Sequence, residues 1–487
     1  MLLRVLRVIA AVAIVLVLVG LPAPAIGHGS DCASTGRVLR YVVLFDAGTP
    51  EPAAAQAIRS ACGISTAYYP QIGVGVATSS EPRFATRFGL DRAYSAQAES
   101  VGTALRAAPT SIAPRAMPAS AAVAPTAAAL PGVVGALSPD RSAEQWDMAM
   151  IRAPQARTIN RGRPDVLVGV LDSGVDATHP DLAAAVDPTR SAGCLSGAPD
   201  QSPRAWSPTT SVHGTHVAGT IAALDDGHGI TGVAPGVRLA SVKVVDDDGF
   251  IYPEYAVCGF MWAARQRMRI ANSSYSLDPW LLTCSDRPGQ AVAYEALRRA
   301  VEYATAHGVL SIAAAGNERT DLADPRQDLR SPDNTPNPRP RVVDKHCAVL
   351  PAQLPGVVAV SAVGTQRVKS AYSSYGMGVI AVTAPGGDRA QPSREGSGCV
   401  LSTVPGGYGY ACGTSMAAPH ASGVAALLAS TRPGADPHEL ATLLRRQADP
   451  LPCPDADPAN ACTGNPDNGF YGTGLVDALS AVSGQRD

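Results

Sequence analysis

Apolar runs alternate with helix-like segments over the larger, C-terminal part of the chain. Four runs are apolar at nearly every position, at residues 166–171, 239–245, 309–315 and 357–363. Strands that are apolar on both faces are typical of a buried parallel sheet. Helical patterns lie between these runs, at residues 213–224, 254–268, 291–307 and 415–429. Strands that alternate with helices predict a three-layer α/β domain with a mainly parallel central sheet, over residues 138–487.

A smaller pattern precedes this domain, at residues 37–103. Two apolar strands are predicted there at 41–45 and 72–76, with an alanine-rich helix at 52–62 and a second helix at 84–93. This order predicts a small α+β domain.

The segment between the two predicted domains, residues 104–137, consists almost entirely of Ala, Pro, Val, Thr and Ser. Its low charge and repeated prolines predict a linker.

The N-terminus has the order of charged and apolar residues that is typical of a secretory signal peptide. Arg4 and Arg7 precede 14 apolar residues, 8–21, and Ala23-Pro24-Ala25 is a small-residue cleavage site. An uncleaved membrane anchor is the alternative, but a span needs roughly 20 apolar residues. We therefore expect residues 1–25 to be a signal peptide, the mature chain to have no membrane span, and the protein to be secreted and extracellular.

The cysteines agree with an oxidising destination, since ten are present and none has the C-x-x-C spacing of zinc ribbons or redox motifs. Cys399 and Cys412 flank a glycine-rich turn between two apolar runs, which predicts a bridge across a hairpin. Cys453 and Cys462 close a short Pro/Asp loop. These spacings leave the partners of the other cysteines open.

Charge and composition exclude two classes of protein. Lys and Arg number 39 and Asp and Glu 41, and this near-balance argues against a nucleic-acid binder. Hydrophobic residues make up 46% and charged residues 16%, which excludes a charge-driven disordered chain.

Four polar residues stand at predicted strand ends or helix starts. Asp172 follows the first strand, Asn317 follows the third, and His213 and Ser415 open helices. A hydroxyl at a helix N-terminus faces free backbone N–H groups, which suits a nucleophile whose reaction develops an oxyanion. Each residue alone is explained by capping or turn chemistry. Four together, in these contexts, indicate a catalytic site.

The order Asp, His, Ser is that of the subtilisin type of serine protease. The strings DSG at 172–174, HGTHVAG at 213–219 and GTSMAAPH at 413–420 resemble the three signature boxes of the subtilase family, and AAAGNE at 313–318 resembles its oxyanion-asparagine box. The resemblance extends from about residue 145 to the end. It implies a subtilisin-like fold and a secreted serine endopeptidase of the bacterial type.

The resemblance also implies a role for each of these residues. Ser415 would attack the peptide carbonyl, His213 would transfer its proton, and Asp172 would orient the imidazole. Asn317 and the backbone N–H of Ser415 would hold the oxyanion. No cofactor is needed for this chemistry. The domain at 37–103 is similar to a subtilase propeptide, which implies a self-cleaving zymogen whose propeptide acts as chaperone and inhibitor.

Two segments resemble the edges between which subtilases bind substrate as a strand. The implied substrate-binding residues are Gly249, Phe250, Ile251, Ser274, Tyr275, Ser276 and Gly316. Phe250, Ile251 and Ser276 add bulk where relatives carry small residues, so the cleft is either narrower and more selective, or relaxed and broad in specificity.

The resemblance further implies a structural calcium site and a third disulfide. Asp181 and Asp226 stand where subtilisins bind calcium through oxygen ligands, although Asp-Asp-Gly is also ordinary turn chemistry. Cys284 lies near the substrate edge and Cys347 in a long loop rich in Pro, Asp and Arg, so we expect them to pair.

Three functions compete. The first is a secreted endopeptidase made as a zymogen, acting on protein or peptide substrates and inhibited by its own propeptide. The second is a dedicated protease that processes one partner protein. The third is an inactive subtilase that only binds peptides, against which the four intact positions count. We expect a monomer that binds no nucleic acid.

Overall fold

The computed structural model describes residues 32–34, 36–104, 124–125, 138–391, 397–454, 462–464 and 467–484. The predicted signal peptide and most of the predicted linker lie outside these described residues, so both stay predictions.

An antiparallel sheet of four strands forms the N-terminal domain, in the order β2-β3-β1-β4. Its elements are β1 (Leu39–Leu44), α1 (Glu51–Ser60), β2 (Ile64–Tyr69), β3 (Val74–Ser79), α2 (Phe84–Phe88), β4 (Ala93–Tyr94) and α3 (Ala96–Ala104). Ile58 of α1 and Phe84 of α2 are fully buried against this sheet. Helix α2 is shorter than the sequence predicts because it ends at Gly89, whose φ of 123° leaves the helical region.

A sheet of seven strands, all parallel, forms the centre of the large domain in the order β16-β15-β11-β9-β6-β8-β7. The strands that follow the N-terminal domain are β5 (Ala124–Pro125), β6 (Leu167–Asp172), β7 (Ala192–Gly193), β8 (Arg238–Lys243), β9 (Ile270–Ser273), β10 (Thr283–Cys284), β11 (Leu310–Ala314), β12 (Gln327–Asp328), β13 (Arg341–Val342), β14 (Cys347–Ala348), β15 (Val358–Val363), β16 (Val382–Pro385), β17 (Val400–Val404) and β18 (Gly407–Ala411).

Helices pack on both faces of this sheet and complete the predicted three layers. They are α4 (Trp146–Met150), α5 (Ala153–Ile159), α6 (Pro203–Trp206), α7 (His213–Ala222), α8 (Pro253–Arg265), α9 (Gln290–Ala306), α10 (Thr414–Thr431), α11 (Pro437–Arg446) and α12 (Ala478–Ser483). Helices α7 and α10 share one hydrophobic core with the sheet, and α8 and α9 share the core on the other face. The predicted fold class is therefore confirmed.

The carboxyl ends of the parallel strands meet at one edge of the sheet, where sites of α/β domains gather. Asp172 is the last residue of β6, Ser274 follows β9 directly, and Gly316 and Asn317 follow β11. Strands β6 and β9 are paired, and so are β9 and β11. Backbone pairing thus brings three predicted site segments to the same place.

Five disulfides are present: Cys32–Cys62, Cys194–Cys258, Cys284–Cys347, Cys399–Cys412 and Cys453–Cys462. The three pairs predicted from sequence are confirmed.

Over the described ranges, we find no helix with the length and apolar character that crossing a bilayer requires.

The N-terminal domain is attached to the large domain by hydrogen bonds to helices α8 and α9 and to the loops beside them. Arg299 of α9 donates from Nη1 to the Phe45 carbonyl at 2.7 Å. The Trp280 indole donates to the Tyr94 hydroxyl, also at 2.7 Å. These contacts place the N-terminal domain against helix α9 and against the segment that follows β9.

Candidate active site

Asp172 and His213 form a buried hydrogen-bonded pair. Asp172 ends strand β6 and His213 begins helix α7. The His213 Nδ1 lies 2.8 Å from Asp172 Oδ1 and 3.0 Å from Oδ2. Because a carboxylate can only accept, this nitrogen carries the proton. The backbone N–H of Ser173 also donates to Asp172 Oδ1, at 2.7 Å, which fixes the carboxylate.

The other ring nitrogen of His213 is the one available for chemistry. Its Nε2 is buried and has no hydrogen-bond partner within the part of the chain that the structure describes. Burial lowers the pKa of His213, but the negative charge of Asp172 and the hydrogen bond to it outweigh burial and raise the pKa above its ordinary value. An imidazole of raised pKa is a stronger base toward a neighbouring hydroxyl.

Ser415 is the second residue of helix α10 and lines the same cleft as His213. Its Oγ donates to the Ser274 carbonyl at 3.0 Å. At a helix start the backbone N–H groups have no helical acceptor, and the positive end of the helix dipole is close. The Ser415 hydroxyl therefore lies in a field that stabilises negative charge.

Asn317 is held so that its amide donors remain available. Its Oδ1 accepts from the Thr414 N–H and from the Thr414 hydroxyl, both at 2.9 Å. Its backbone N–H donates to Glu318 Oε2 at 2.7 Å. With the oxygen fixed by Thr414, the Nδ2 group is the donor that Asn317 can offer in the cleft.

The predicted substrate residues lie along this cleft, which encloses about 950 Å³ that no atom fills, part of it open to solvent. Those that line it together with the four candidate catalytic residues are Gly249, Ile251, Ser274, Tyr275, Ser276 and Gly316. Phe250 does not line it. Its ring stacks on Tyr252 with centroids 5.7 Å apart, which turns it toward the core that α8 and α9 share.

Sequence reasoning missed several charged residues of the cleft wall. Asp278, Glu318, Arg330 and Asp333 all line it, and Arg330 Nη1 lies 2.9 Å from Glu318 Oε1. Arg330 and Asp333 belong to the long loop after β11. The only sequence signal for them is the length and the Pro/Asp/Arg composition of that loop.

The side chains predicted to bind calcium make hydrogen bonds to protein groups in the structure. Both carboxylate oxygens of Asp181 lie near the Tyr408 hydroxyl, at 3.0 and 3.1 Å, and Oδ2 also accepts from the Ile230 N–H. Asp226 Oδ1 accepts from the His228 N–H in a turn. Across the described residues, we find no cluster of three or more His, Cys, Asp or Glu side chains suited to a metal. The calcium site therefore stays a prediction, and nothing below depends on a metal.

The arrangement combines a buried carboxylate, an imidazole with a free nitrogen, a hydroxyl at a helix start and a fixed side-chain amide. These are the parts of a site for nucleophilic attack on a carbonyl. Together with the parallel sheet, they define a subtilisin-like domain. The family model of the subtilase family matches residues 163–474, more than half of the chain, and the chain belongs to that family.

Individual relatives agree with this assignment. Fervidolysin from Fervidobacterium pennivorans is 32% identical over 326 residues, which cover 63% of this chain and 40% of the relative. Subtilisin NAT from Bacillus subtilis subsp. natto is 32% identical over 293 residues, 59% of this chain and 61% of the relative. The chain thus spans less than two thirds of these two proteins. A solved lanthipeptide protease is 28% identical with a TM-score of 0.54, covering 69% of this chain and 93% of its own.

Proposed function

We propose that the protein is a secreted serine endopeptidase that hydrolyses peptide bonds through Asp172, His213 and Ser415. The observation that carries this proposal is the buried Asp172–His213 pair, whose unpartnered Nε2 lies in the cleft that also contains the Ser415 hydroxyl. Such a pair has the geometry of an oriented general base.

The reaction begins when the Ser415 hydroxyl turns from the Ser274 carbonyl toward His213. The oxygen attacks the peptide carbonyl while His213 Nε2 takes the proton, and Asp172 stabilises the resulting imidazolium. The oxyanion accepts hydrogen bonds from Asn317 Nδ2 and the Ser415 N–H. His213 then gives its proton to the leaving amine, which leaves an acyl-enzyme. Water hydrolyses this ester by the same steps in reverse.

The N-terminal domain is proposed to act as an inhibitory propeptide, with self-cleavage between residues 104 and 137. Support comes from a contact between the last helix of this domain and the large domain. The carbonyl of Ala96, the first residue of α3, accepts from Asn334 Nδ2 at 2.9 Å, and the adjacent Asp333 lines the cleft. The start of α3 therefore contacts the loop that forms part of the cleft wall.

A second candidate is a dedicated processing protease. The similarity to a lanthipeptide protease favours it, and so do the large buried side chains Ile251 and Tyr275 in the cleft wall. A peptide-library profile separates the two candidates: a narrow sequence preference supports the processing role, and unbiased cleavage supports a general endopeptidase.

The main test compares wild type with Ser415→Ala as secreted full-length protein. We expect wild type to shorten to a mature form, to digest protein substrate and to label once with a serine-directed covalent inhibitor. Ser415→Ala should stay full-length, inactive and unlabelled. Ser430→Ala, which changes a buried serine at the far end of the same helix, is the control and should behave as wild type. A wild type that neither labels nor matures would contradict the proposal.

A further inference from the structure

Helix α10 has an irregularity one turn after the nucleophile. Pro419 lies inside the helix and has no N–H, so it cannot make the helical hydrogen bond to the carbonyl four residues earlier. That carbonyl belongs to Ser415. A hydroxyl from outside the helix takes this place, because Ser274 Oγ donates to the Ser415 carbonyl at 2.9 Å.

Ser274 and Ser415 are thus joined by two hydrogen bonds in opposite directions. The side chain of Ser274 donates to the backbone carbonyl of Ser415, while the side chain of Ser415 donates to the backbone carbonyl of Ser274. Both residues are buried. The second bond must break when the Ser415 hydroxyl turns toward His213, whereas the first can persist through the reaction.

The Ser274 hydroxyl is itself oriented by a buried chain of hydrogen bonds. Asn272 Nδ2 donates to Ser274 Oγ at 2.9 Å, and the Ser422 hydroxyl donates to Asn272 Oδ1 at 2.8 Å. Asn272 lies in strand β9 at the middle of the sheet, and Ser422 lies on helix α10, one turn beyond Pro419. With the Asn272 donor occupying its oxygen, the Ser274 hydroxyl directs its own proton to Ser415.

We propose that Ser274 is a positioning residue for the nucleophile, acting through its hydroxyl on the Ser415 carbonyl at the position that Pro419 leaves without a helical donor. The inference rests on the proposed function, because it concerns the turnover of the same site. This carbonyl belongs to the peptide unit that joins Ser415 to Met416, so fixing it restricts the orientation of the Ser415 Cα and of the side chain that it carries.

The side-chain role of Ser274 can be separated from its role in the cleft wall. Ser274→Ala removes the hydroxyl but keeps the backbone groups of this cleft-lining residue. Substrate binding should therefore change little. A misplacement on the order of 1 Å at a reacting atom can cost about 10²-fold in rate.

The experiment measures kcat and KM of full-length protein after maturation, with active sites counted by a covalent serine inhibitor. For Ser274→Ala we expect kcat to fall roughly 10- to 100-fold with KM nearly unchanged. Ser430→Ala is the matched control, because its buried hydroxyl also donates to a carbonyl of α10, that of Ala426, at 2.7 Å. Its kcat should equal that of wild type.

The decisive variant combines Ser274→Ala with Pro419→Ala. Alanine at 419 supplies a backbone N–H for the Ser415 carbonyl, so the double variant should regain most of the kcat that Ser274→Ala loses. A role that the Ser274 hydroxyl exerts only through Asn272 would not be rescued by a new donor to the Ser415 carbonyl.

The inference is overturned if Ser274→Ala keeps the kcat of wild type, or if Ser430→Ala lowers kcat as much as Ser274→Ala does. It is also overturned if adding Pro419→Ala to Ser274→Ala restores none of the lost kcat. Should Ser274→Ala alone fail to fold, the double variant still decides, because its kcat is compared directly with that of Pro419→Ala. An inactive wild type would contradict the proposed function instead, so the two failures are distinguishable.

Discussion

At the scale of single residues, the protonation of His213 is governed by two opposing effects. Burial favours the neutral ring, and the charge and hydrogen bond of Asp172 favour the imidazolium. The second effect is larger, so the folded chain holds the pKa of His213 above the ordinary value of about 6.5. Only the neutral ring can accept the proton of Ser415.

We therefore expect kcat/KM to rise with pH and to reach half its maximum at a pH above about 6.5. In Asp172→Asn the carboxylate charge is gone and burial remains, so the midpoint should move to lower pH while kcat falls by about 10⁴-fold. A pH–rate profile of both proteins measures this. Asp165→Asn, an exposed residue paired with Arg163, is the control. An Asp172→Asn midpoint at or above that of wild type would refute the assignment.

At the scale of elements, the hydrophobic pattern predicted the strands that are apolar throughout. Strands β6, β8, β11 and β15 lie within one or two residues of their predicted bounds, because a run that is apolar at nearly every position is stable in a sheet covered on both faces. Strand β9 was missed. Its sequence Ile-Ala-Asn-Ser ends in polar residues, which the apolar pattern does not mark as a strand. The buried Asn272 side chain is satisfied by hydrogen bonds with Ser422 of α10 and with Ser274, which lines the cleft.

The candidate site also contains residues that the sequence predicted and residues that it did not. Residues in signature strings could be found from sequence, since their spacing is local. Asp278, Arg330 and Asp333 could not, because irregular loops bring them to the cleft and no periodicity marks loop residues. The calcium expectation for Asp181 follows from the resemblance alone, and the contact with Tyr408, over 200 residues later, has no sequence signal.

The contact between the β17–β18 hairpin and Asp181, in the segment after β6, gives a prediction for stability. Burial raises the pKa of Asp181, and the Tyr408 hydroxyl partly offsets this. Tyr408→Phe should lower the free energy of unfolding by about 1–3 kcal/mol, since a buried acceptor loses its donor. The loss should shrink toward acidic pH, where the carboxyl of Asp181 takes up a proton and needs less stabilisation.

Urea unfolding of Ser415→Ala and of Ser415→Ala with Tyr408→Phe, at neutral and acidic pH, measures this effect without self-digestion. A chelator added to the same measurement tests the predicted calcium site at Asp181. Unfolding curves that stay in place would contradict the site, and a strong destabilisation by chelator would support it.

At the scale of the whole molecule, the buried carboxyl of Glu254 lies where the N-terminal domain contacts the large domain. Arg40 of β1 lies 3.8 Å from Glu254 of α8, and its Nη1 also donates to the Leu195 carbonyl at 2.9 Å. Burial raises the pKa of Glu254 to about 7, although Arg40 opposes this. The attachment of the N-terminal domain therefore depends on keeping Arg40 beside this carboxyl.

In the Ser415→Ala background, Arg40→Ala should lower the free energy of unfolding by about 2 kcal/mol, since hydrogen bonds from a charged group are lost. The loss should grow as pH rises through 7, because Glu254 then carries an unpaired charge. Adding Glu254→Gln should recover part of it by removing that charge. Thermal unfolding on either side of pH 7 tests both statements, and a pH-independent loss with no recovery would contradict them.

The pair of hydrogen bonds between Ser274 and Ser415 has a consequence for changing the specificity of the proposed enzyme. Residues 274–276, which are proposed to bind substrate on one side of the cleft, are also hydrogen-bonded to the nucleophile through Ser274. Substitutions there that alter selectivity should therefore also alter kcat. On the opposite side, the backbone N–H groups of Phe250 and Ile251 donate to the carboxylates of Asp246 and Asp278. A library built on residues 249–251 should therefore change which peptides are cut at a smaller loss of catalytic speed than one built on residues 274–276.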